Sequence, residues 1–313
     1  MGAYLGRRLL ATVPVVLIVA VLVFLMLRLT PGDPAAVIAG DAATSEQIAE
    51  IREKLGLSGS IVKQFFVWGG HALRGDFGES FFYKRSVADL IANRLEPTLA
   101  LSLLTIILAT LIAVPLGTIA AYKQGSWLDR GVMGLSVAGF SVPVFVIGYL
   151  LIYVFSLKLG WFPVQGYQRL ADGFWGFLHR LLLPAFALAI VFIALLARMT
   201  RTSVLEVLNE DYVRTARAKG LPNLKVLVFH ALRNAAVPIV TIIGISIAAL
   251  LGGVVVTESV FNIPGLGRLT VDAVLARDYP TVQAVILLFS LAYVLINLVI
   301  DVLYTLLDPR IRY

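Results

Sequence analysis

Asn297 and Asp301 are the two polar side chains best placed to do chemistry inside an apolar segment of this chain. They are four positions apart, so a helix would bring them to one face, one turn apart. Acids within such segments are costly to bury and often belong to ion or substrate pathways. Asp301 also lies close to the end of the segment at Leu307, where a membrane surface or an arginine is within reach. The pair is therefore either a structural polar pair or part of a pathway.

Catalytic and metal-binding patterns are missing from the rest of the sequence. The three histidines, His71, His179 and His230, are far apart, and no His-Glu-x-x-His or Gly-x-Ser-x-Gly arrangement occurs. The cysteine count is zero, which removes disulfides and thiolate metal sites. None of the 26 glycines is followed by lysine, so a phosphate-binding P-loop is absent. We predict no catalytic residue, no metal site and no enzyme activity in this chain.

A short charged segment lies between two long apolar stretches and ends at Gly220. Asn209 is predicted to be its N-cap, with acids in the first turn and bases in the last turns, the order that the helix dipole favours. Gly220 fits the left-handed residue that ends a helix, and Pro222 prevents continuation. A helix this short and charged cannot cross a bilayer, so we predict a surface for another protein; the alternative is a solvated connector. The candidate residues are Asn209, Glu210, Asp211, Tyr212, Val213, Arg214, Thr215, Ala216, Arg217, Ala218, Lys219 and Gly220.

The remaining sequence is that of a membrane protein. Hydrophobic residues make up 59% of the chain and charged residues 14%, and the mean hydropathy is +0.90. A soluble domain carries about 25% charged residues. Apolar runs of roughly 20 residues recur, which is the length that a helix needs to cross a bilayer. We predict an all-α integral membrane protein with six transmembrane helices, at Leu9–Leu29, Thr98–Tyr122, Val132–Leu157, Leu181–Ala197, Pro238–Val256 and Val282–Leu307.

The short connections between these spans differ in their number of basic residues, which sets orientation. Thirteen lie on one side and five on the other. Both termini and the loop 198–237 are therefore predicted to face the cytoplasm. The thirteen are Arg7, Arg8, Lys123, Arg130, Arg198, Arg201, Arg214, Arg217, Lys219, Lys225, Arg233, Arg310 and Arg312. The five are Lys158, Arg169, Arg180, Arg268 and Arg277.

A long outer segment separates the first two spans. A helix from Thr44 to Gly56 is predicted within it, because Thr44 and Gln47 form a capping box and Gly56 is placed to end the helix. Aromatic residues follow at Phe65, Phe66 and Trp68, so this segment is expected to pack on the membrane core or on a partner. The alternative is a segment that lies at the membrane interface and only seals the first two spans. The predicted organisation is an N-terminus with the first span (1–29), the outer segment (30–97), a core of five spans (98–308) containing the loop 198–237, and a cytoplasmic tail (309–313).

Prolines and small residues should shape the spans. Each proline inside a helix removes a backbone hydrogen bond and can kink it. Small residues in the fifth span would form either a helix-packing seam or the wall of a pathway. The prolines are Pro14, Pro115, Pro143, Pro184 and Pro238. The small residues are Gly244, Ser246, Ala248, Ala249, Gly252 and Gly253.

The segment 210–238 resembles the cytoplasmic loop of the inner-membrane subunits of ATP-binding-cassette importers, specifically the dipeptide, oligopeptide and nickel permease family. In importers of this kind a Glu-Ala-Ala motif precedes a glycine at a fixed interval. Arg214-Thr215-Ala216 stands in that place here, and the run from Tyr212 to Gly220 resembles this family's own variant. Further motifs of the family follow in order along nearly the whole chain: Arg7-Arg8-Leu9-Leu10, Thr30-Pro31-Gly32-Asp33-Pro34, Gly75-Asp76-Phe77-Gly78, Ser141-Val142-Pro143, Leu159-Gly160-Trp161-Phe162-Pro163, Arg277-Asp278-Tyr279-Pro280 and Leu307-Asp308-Pro309-Arg310.

The resemblance implies a type I ABC-importer-like permease fold in a bacterial inner membrane, with the segment 30–97 in the periplasm. It implies that the helix 209–220 inserts into a cleft of an ATPase. The expected partners are a second homologous permease subunit, two cytoplasmic ATP-binding subunits, a periplasmic solute-binding protein and the lipid bilayer, with no nucleic acid. This chain is expected to bind no cofactor, with ATP and Mg on the partner ATPases. Peptides are the expected cargo; the alternatives are nickel or another small solute, or a secondary transporter driven by an ion gradient.

Overall fold

The structure, a computed structural model, describes residues 2–29, 33–40, 43–54, 56–57 and 59–307. The described residues are helical apart from turns, loops and one isolated bridge between Glu79 and Ser86. The predicted tail 309–313 and the motif residues 30–32 and 308–310 lie outside them. The helices are α1 Gly2–Arg28, α2 Pro34–Ala39, α3 Ser45–Lys54, α4 Ile61–Leu73, α5 Val87–Tyr122, α6 Trp127–Ser141, α7 Val144–Leu151 continued as a π-helix Ile152–Lys158, a 3₁₀ turn Leu170–Asp172, α8 Phe174–Leu208, α9 Asp211–Ala218, α10 Asn223–Lys225 continued as a π-helix Val226–Leu232, α11 Ala236–Val260, α12 Leu266–Leu275 and α13 Tyr279–Leu307.

Four described helices, α5, α8, α11 and α13, are long and apolar enough to cross a membrane. The pair formed by α6 and α7 with its π-helical extension makes a fifth if the bent pair is one span. Helix α1 covers the predicted first span, but its apolar part, Leu10–Met26, is shorter than these four. The prediction of an all-helical membrane protein is therefore confirmed.

The predicted third span, Val132–Leu157, is not one straight helix. The axes of α6 and the α7 segment differ by 103°. The break falls at Val142, which is extended with φ −95° and ψ 124°, and at Pro143, which begins α7. The ring of a proline pushes the preceding residue out of the helical region, so the backbone leaves α6 at Val142. Of the prolines in the spans, Pro14, Pro115 and Pro184 lie inside continuous helices.

The chain divides into two compact units. One consists of Met1–Glu96 with Arg268–Leu295. Within it, the rings of Phe65 and Trp68 on α4 pack against Phe24 of α1, with centroid distances of 5.1 and 5.7 Å. The outer-segment aromatics thus contact the first span.

The predicted capping box of α3 is also present in this unit. The Thr44 N–H donates to Gln47 Oε1 at 2.9 Å, and the Gln47 N–H donates to Thr44 Oγ1 at 3.3 Å. Gly56 has φ +62° at the end of the helix, the left-handed conformation that glycine adopts without strain. The sequence therefore predicted both ends of α3.

The other unit consists of Pro97–Gly267 with Ile296–Tyr313, and α8 lies at its centre. Of the most apolar 18-residue window of α8, 61% is buried, compared with 28% or less for α5, α11 and α13. Leu181, Leu188 and Leu196 of α8 are buried in one core with residues of α5, α7 and α11. Helix α8 is therefore the element on which its neighbours in this unit pack.

Small residues let helices approach closely in this unit. A Cβ on Gly117 of α5 would lie 2.5 Å from the Ala197 carbonyl oxygen of α8, and one on Gly244 of α11 would lie 2.5 Å from Ile300 of α13. A Cβ on Gly253 would lie 3.3 Å from Leu188, whereas one on Gly252 would meet no atom of the described chain within 4 Å. The small-residue cluster of the fifth span thus contributes to helix packing at Gly244 and Gly253.

Candidate functional site

Helix α9 is the charged helix that the sequence predicts, but it begins one residue later. Its N-cap is Glu210, with φ −69° and ψ 145°. The prediction that Asn209 is the N-cap is wrong, because Asn209 is instead the C-cap of α8, with φ −89° and ψ −5°. Its side-chain amide donates to the Leu205 carbonyl one turn back, at 3.0 Å, so it is not available to cap α9.

The end of α9 matches the sequence prediction. Gly220 has φ +78°. Its N–H donates to the Arg217 carbonyl at 2.9 Å, and the Leu221 N–H donates to the Ala216 carbonyl at 3.3 Å. These bonds satisfy carbonyls that the helix end leaves open. Pro222 then precedes α10, so the chain turns away from the α9 axis.

One face of α9 is buried. Val213 is fully inaccessible and Ala216 nearly so. Both belong to a second core, which also contains Val204 and Leu208 of α8. The helix therefore packs through this face against the end of α8 and the π-helix Val226–Leu232, and does not project alone into solvent. This second core is completed by Ala121, Val226, Leu227, Ala231, Ala235 and Ile239.

The opposite face of α9 is exposed and polar. Asp211 and Arg214 form an ion pair of 3.4 Å, but both side chains are largely exposed, so the pair contributes little to stability. Partial desolvation raises the pKa of Tyr212, and the nearby Glu210 carboxylate raises it further. Tyr212 is therefore a neutral phenol at physiological pH. Together with the exposed Arg217, this face offers a hydroxyl and guanidinium groups, a combination suited to an acidic protein surface.

A buried ion pair joins α6 to α8, within the same unit. Arg201 donates through Nε to Asp129 Oδ1 and through Nη2 to Asp129 Oδ2, the latter at 2.7 Å. The Gly125 N–H also donates to Asp129 Oδ2, at 2.9 Å. The side chains are 5% exposed for Asp129 and 22% for Arg201. Two parallel charge-assisted bonds fix both the distance and the relative orientation of the groups.

A second buried acid, Glu258 near the end of α11, lies against the loop that leads into α12. It is fully inaccessible. Thr98 of α5 donates to Glu258 Oε1 at 2.6 Å and accepts the Leu266 N–H at 2.8 Å. A Cβ on Gly265 would lie 2.0 Å from Glu258 Oε1. A side chain at position 265 would therefore displace this carboxyl group. Through the Thr98 hydroxyl, the same group is linked to the start of α12.

A third buried acid, Asp278, connects α13 to the outer segment, in the unit that contains residues 1–96. Its Oδ2 accepts the Ser80 hydroxyl at 2.5 Å and the Thr281 hydroxyl at 2.7 Å. Its Oδ1 accepts the Phe81 N–H at 3.2 Å. Asp278 thereby fixes the turn at 81–83 that follows the Gly75-Asp76-Phe77-Gly78 motif.

This motif itself forms a small turn. The Gly78 N–H donates to Asp76 Oδ1 at 3.0 Å, and this bond, with that from His71 at 2.8 Å, lowers the pKa of Asp76. Gly75 and Gly78 have φ values of +77° and +78°, which glycine tolerates. The two glycines of the motif are therefore required by the backbone.

The structural roles of the three buried acids are not apparent from sequence patterns. Their partners are 72, 160 and 198 residues distant in the chain. One local signal was available, namely acids at the edges of apolar stretches, since a buried carboxyl group requires donors. For Glu258 the signal is stronger, because Gly265 and Gly267 follow at a spacing that leaves room for a carboxyl group.

Asn297 and Asp301 lie one turn apart on α13, as predicted, and both are partly buried. Each has an interaction partner, so neither is an isolated polar group in the helix. The histidines are engaged separately: His71 with Asp76, and His179 with the Trp161 carbonyl at 2.8 Å. Among the described residues, no cluster of three or more metal-binding side chains occurs.

Two family models together match almost the entire chain. Residues 113–313 match the family described as binding-protein-dependent transport system inner membrane component. Residues 1–102 match the N-terminal family of the same membrane components. The chain belongs to this family. It is an inner-membrane permease, a transport component with several membrane-crossing helices and not an enzyme.

The similar proteins agree with this assignment. The permease is 53% identical over 313 residues to a probable peptide ABC transporter permease protein, y4tP, of Sinorhizobium fredii, covering 100% of both chains. It is 48% identical over 310 residues to the glutathione transport system permease protein GsiC of Salmonella choleraesuis, covering 99% of both. A putative peptide transport system permease protein of Brucella abortus is 46% identical over 313 residues, with 100% of both chains covered.

A solved structure shares the fold. A chain in the inward-facing MetNI methionine ABC transporter aligns with a TM-score of 0.58 and 19% identity, covering 70% of the permease and 96% of that chain. At this identity the similarity concerns the fold alone. The prediction of an ABC-importer-like permease fold is therefore confirmed.

Proposed function

We propose that this permease imports peptides, driven by ATP hydrolysis in separate ATPase subunits that contact helix α9. The observation that carries this proposal is α9 itself: a short helix with an exposed polar face and a buried face packed on the end of α8. A helix mounted in this way transmits the displacement of a partner into the membrane core. We propose that the segment from Asn209 to Gly220, which contains α9 and its flanking residues, couples the permease to the ATPase.

The proposed cycle uses the permease as a passive element. A periplasmic solute-binding protein delivers cargo to the outer face, around residues 30–97 and the loops 160–180 and 258–280. ATP binding closes the two ATPase subunits, which displace α9 and therefore α8. The cavity between the permease subunits then opens to the other side. ATP and Mg belong to the ATPases, because no glycine of this chain is followed by the lysine of a P-loop.

The topology of the proposal has six spans with both termini in the cytoplasm. It counts α1, α5, the bent pair of α6 and α7, α8, α11 and α13. Thirteen basic residues in the connections on the cytoplasmic side against five on the other support the orientation. The proposed organisation keeps 1–29 as the first span, 30–97 as the periplasmic segment, 98–308 as the core and 309–313 as the tail. A second homologous permease and two ATPase subunits complete the complex.

Peptides are the proposed cargo because the similar proteins described above are named as permeases for peptide and glutathione transport. Glutathione is itself a small peptide, so these names describe one chemical class. Nickel and other small solutes are less well supported, since the names of these proteins do not refer to them. Import driven by an ion gradient would call for carboxylates near the middle of the membrane, and Asp301 lies near one end of α13 instead.

Cross-linking tests the proposal directly, because the chain has no cysteine of its own. Ala218→Cys on the exposed face of α9, probed with a bifunctional thiol reagent in membranes, should capture an ATPase subunit. Trp175→Cys is the matched control: it is 78% exposed but lies on the side assigned to the periplasm. Capture of a periplasmic protein from position 218, or of the ATPase from position 175, would overturn the orientation.

Charge reversal tests the polar face of α9. Arg214→Glu with Arg217→Glu should abolish ATP-dependent peptide uptake and ATPase copurification while the permease still inserts, because two cations facing the acidic partner become anions. Lys123→Glu is the control: Lys123 is an exposed base on the same side but outside α9. Undiminished uptake by the double variant would show that α9 is not the ATPase contact.

A further inference from the structure

We propose that the Asp129–Arg201 ion pair makes the start of α6 move as one body with the end of α8, so that displacement of α9 reaches the bend between α6 and α7. Asp129 and Arg201 are thus positioning residues for transport. This inference rests on the proposed function of α9 as the ATPase contact.

The first step of the path is the junction between α8 and α9. Only Asn209 and Glu210 separate the two helices. Their N–H groups donate to the carbonyls of Glu206 and Val207, at 3.2 and 3.1 Å, in a 3₁₀-type turn that closes α8. Glu210 is extended, so the junction is a tight turn of two residues between the helices. Val213 of α9 is buried against α8 in the second core. A displacement of α9 therefore also displaces the end of α8.

The second step is the ion pair itself. Arg201 lies about two turns before the end of α8 at Leu208. Both oxygens of Asp129 accept from its guanidinium, and the Gly125 N–H holds the same carboxylate from the turn before α6. Because the pair is largely excluded from water, separating the charges is unfavourable. The first turn of α6 is therefore fixed to α8 in both distance and orientation.

The third step is the packing of α6 along α8. A Cβ on Gly139 would lie 3.1 Å from the Ala194 Cβ, so the two helices are in direct contact close to the end of α6. Asp129 and Gly139 thus attach α6 to α8 near both of its ends. Val142 and Pro143 directly follow the end of α6 at Ser141, and the chain bends by 103° there. Motion of α8 should therefore be delivered to the bend, where α6 ends and α7 begins.

The experiment uses the full complex of permease subunits, ATPases and binding protein in proteoliposomes, with a defined dipeptide as cargo. Asp129→Asn keeps the shape of the side chain and removes its charge, and Arg201→Lys keeps the charge and removes the two-pronged contact. We expect each to lower ATP-dependent uptake per ATP hydrolysed by about 2- to 30-fold, the range for residues that carry coupling between sites. ATPase copurification should be unchanged. Arg130→Gln, the exposed neighbour of Asp129, is the matched control and should keep the wild-type ratio.

A reversible bridge distinguishes coupling from simple stabilisation. In the variant Asp129→Cys with Arg201→Cys, a cleavable bifunctional methanethiosulfonate reagent can join the two positions in the otherwise cysteine-free chain. We expect poor coupling before bridging, recovery with the bridge, and loss again after reduction, all in the same polypeptide. Inhibition by the bridge would mean that α6 and α8 must separate during transport and would overturn the inference.

The outcomes also separate this inference from the proposed function. If the wild-type complex imports peptide with ATP and the Asp129 and Arg201 variants retain its coupling ratio, only the inference fails. If the wild-type complex imports peptide without ATP or without contact between α9 and an ATPase, the proposed function fails first. Unstable variants do not obscure the result, because the bridged and reduced states of the double-cysteine protein are compared at constant composition.

Discussion

At the scale of single residues, the buried acids Asp129, Glu258 and Asp278 each accept a hydrogen bond from a distant part of the chain. Glu258 lies beside the hydroxyl of Thr98, which also accepts the Leu266 N–H at the start of α12. One hydroxyl therefore serves a buried carboxyl group and a backbone donor together. Its loss leaves both groups short of a partner, and leaving buried groups unsatisfied is more costly than losing an average hydrogen bond.

Replacement of Thr98 tests this arrangement. Thr98→Val keeps the shape of the side chain and should lower the free energy of unfolding by about 1–3 kcal/mol. The control is Thr118→Val in the same helix, where the hydroxyl only donates back to the Val114 carbonyl at 2.7 Å. Thermal unfolding in detergent should separate the two variants. Equal stability of both would contradict the bridging role of Thr98.

At the scale of elements, the sequence predicts those features that depend on neighbouring residues. Apolar runs predicted the long helices, and the capping box and Gly56 predicted both ends of α3. The predicted N-cap of α9 was wrong by one residue, because the Asn209 side chain donates to the Leu205 carbonyl of α8. Whether an asparagine between two adjacent helices ends the first or caps the second is not determined by its residue type. The position of an acid at the edge of an apolar stretch is a local signal, but the partners of Asp129, Glu258 and Asp278 are 72 to 198 positions away and could be identified only from the fold.

The bend between α6 and α7 has both a local and a tertiary cause. Pro143 explains why the helix stops. The direction of the chain beyond it depends on packing, because a Cβ on Gly148 of α7 would lie 3.3 Å from Val260 and Phe261. The packing of Gly148 against Val260 and Phe261, and of Gly139 against α8, should maintain the angle between α6 and α7 even without the proline.

We therefore expect Pro143→Ala to keep the bend. Leu135 on α6 and Tyr149 on α7 are 75% and 58% exposed in the native chain. Spin labels attached at Leu135→Cys and Tyr149→Cys would therefore report the distance between the two helices. The distance distribution should match that of the parent protein, whereas Gly148→Leu, which disturbs the contact with α11, should broaden or shift it. A single longer distance in the proline variant would show that Pro143 alone causes the bend.

At the scale of the whole molecule, the apolar faces of three long helices, α5, α11 and α13, remain largely uncovered by the described chain. Only 22%, 28% and 11% of the most apolar windows of α5, α11 and α13 are buried. Lipid and partner subunits must therefore cover these faces, as expected for one component of a larger complex. In the proposed function the energy source is also another molecule, namely the ATPase.

The isolated permease should consequently bind to membranes but accumulate nothing. Reconstituted alone in liposomes, it is expected to give no uptake of a labelled dipeptide above equilibration, with or without ATP or an ion gradient. Addition of the second permease, the ATPases and the binding protein should give uptake that requires ATP on the side of the membrane that α9 faces. Accumulation by the single chain under an ion gradient would instead identify a secondary transporter, because a subunit without its own site for ATP has no other source of work. The variants of Asp129 and Arg201 must therefore be measured in the complete complex, because only there can the ATPase subunits displace α9.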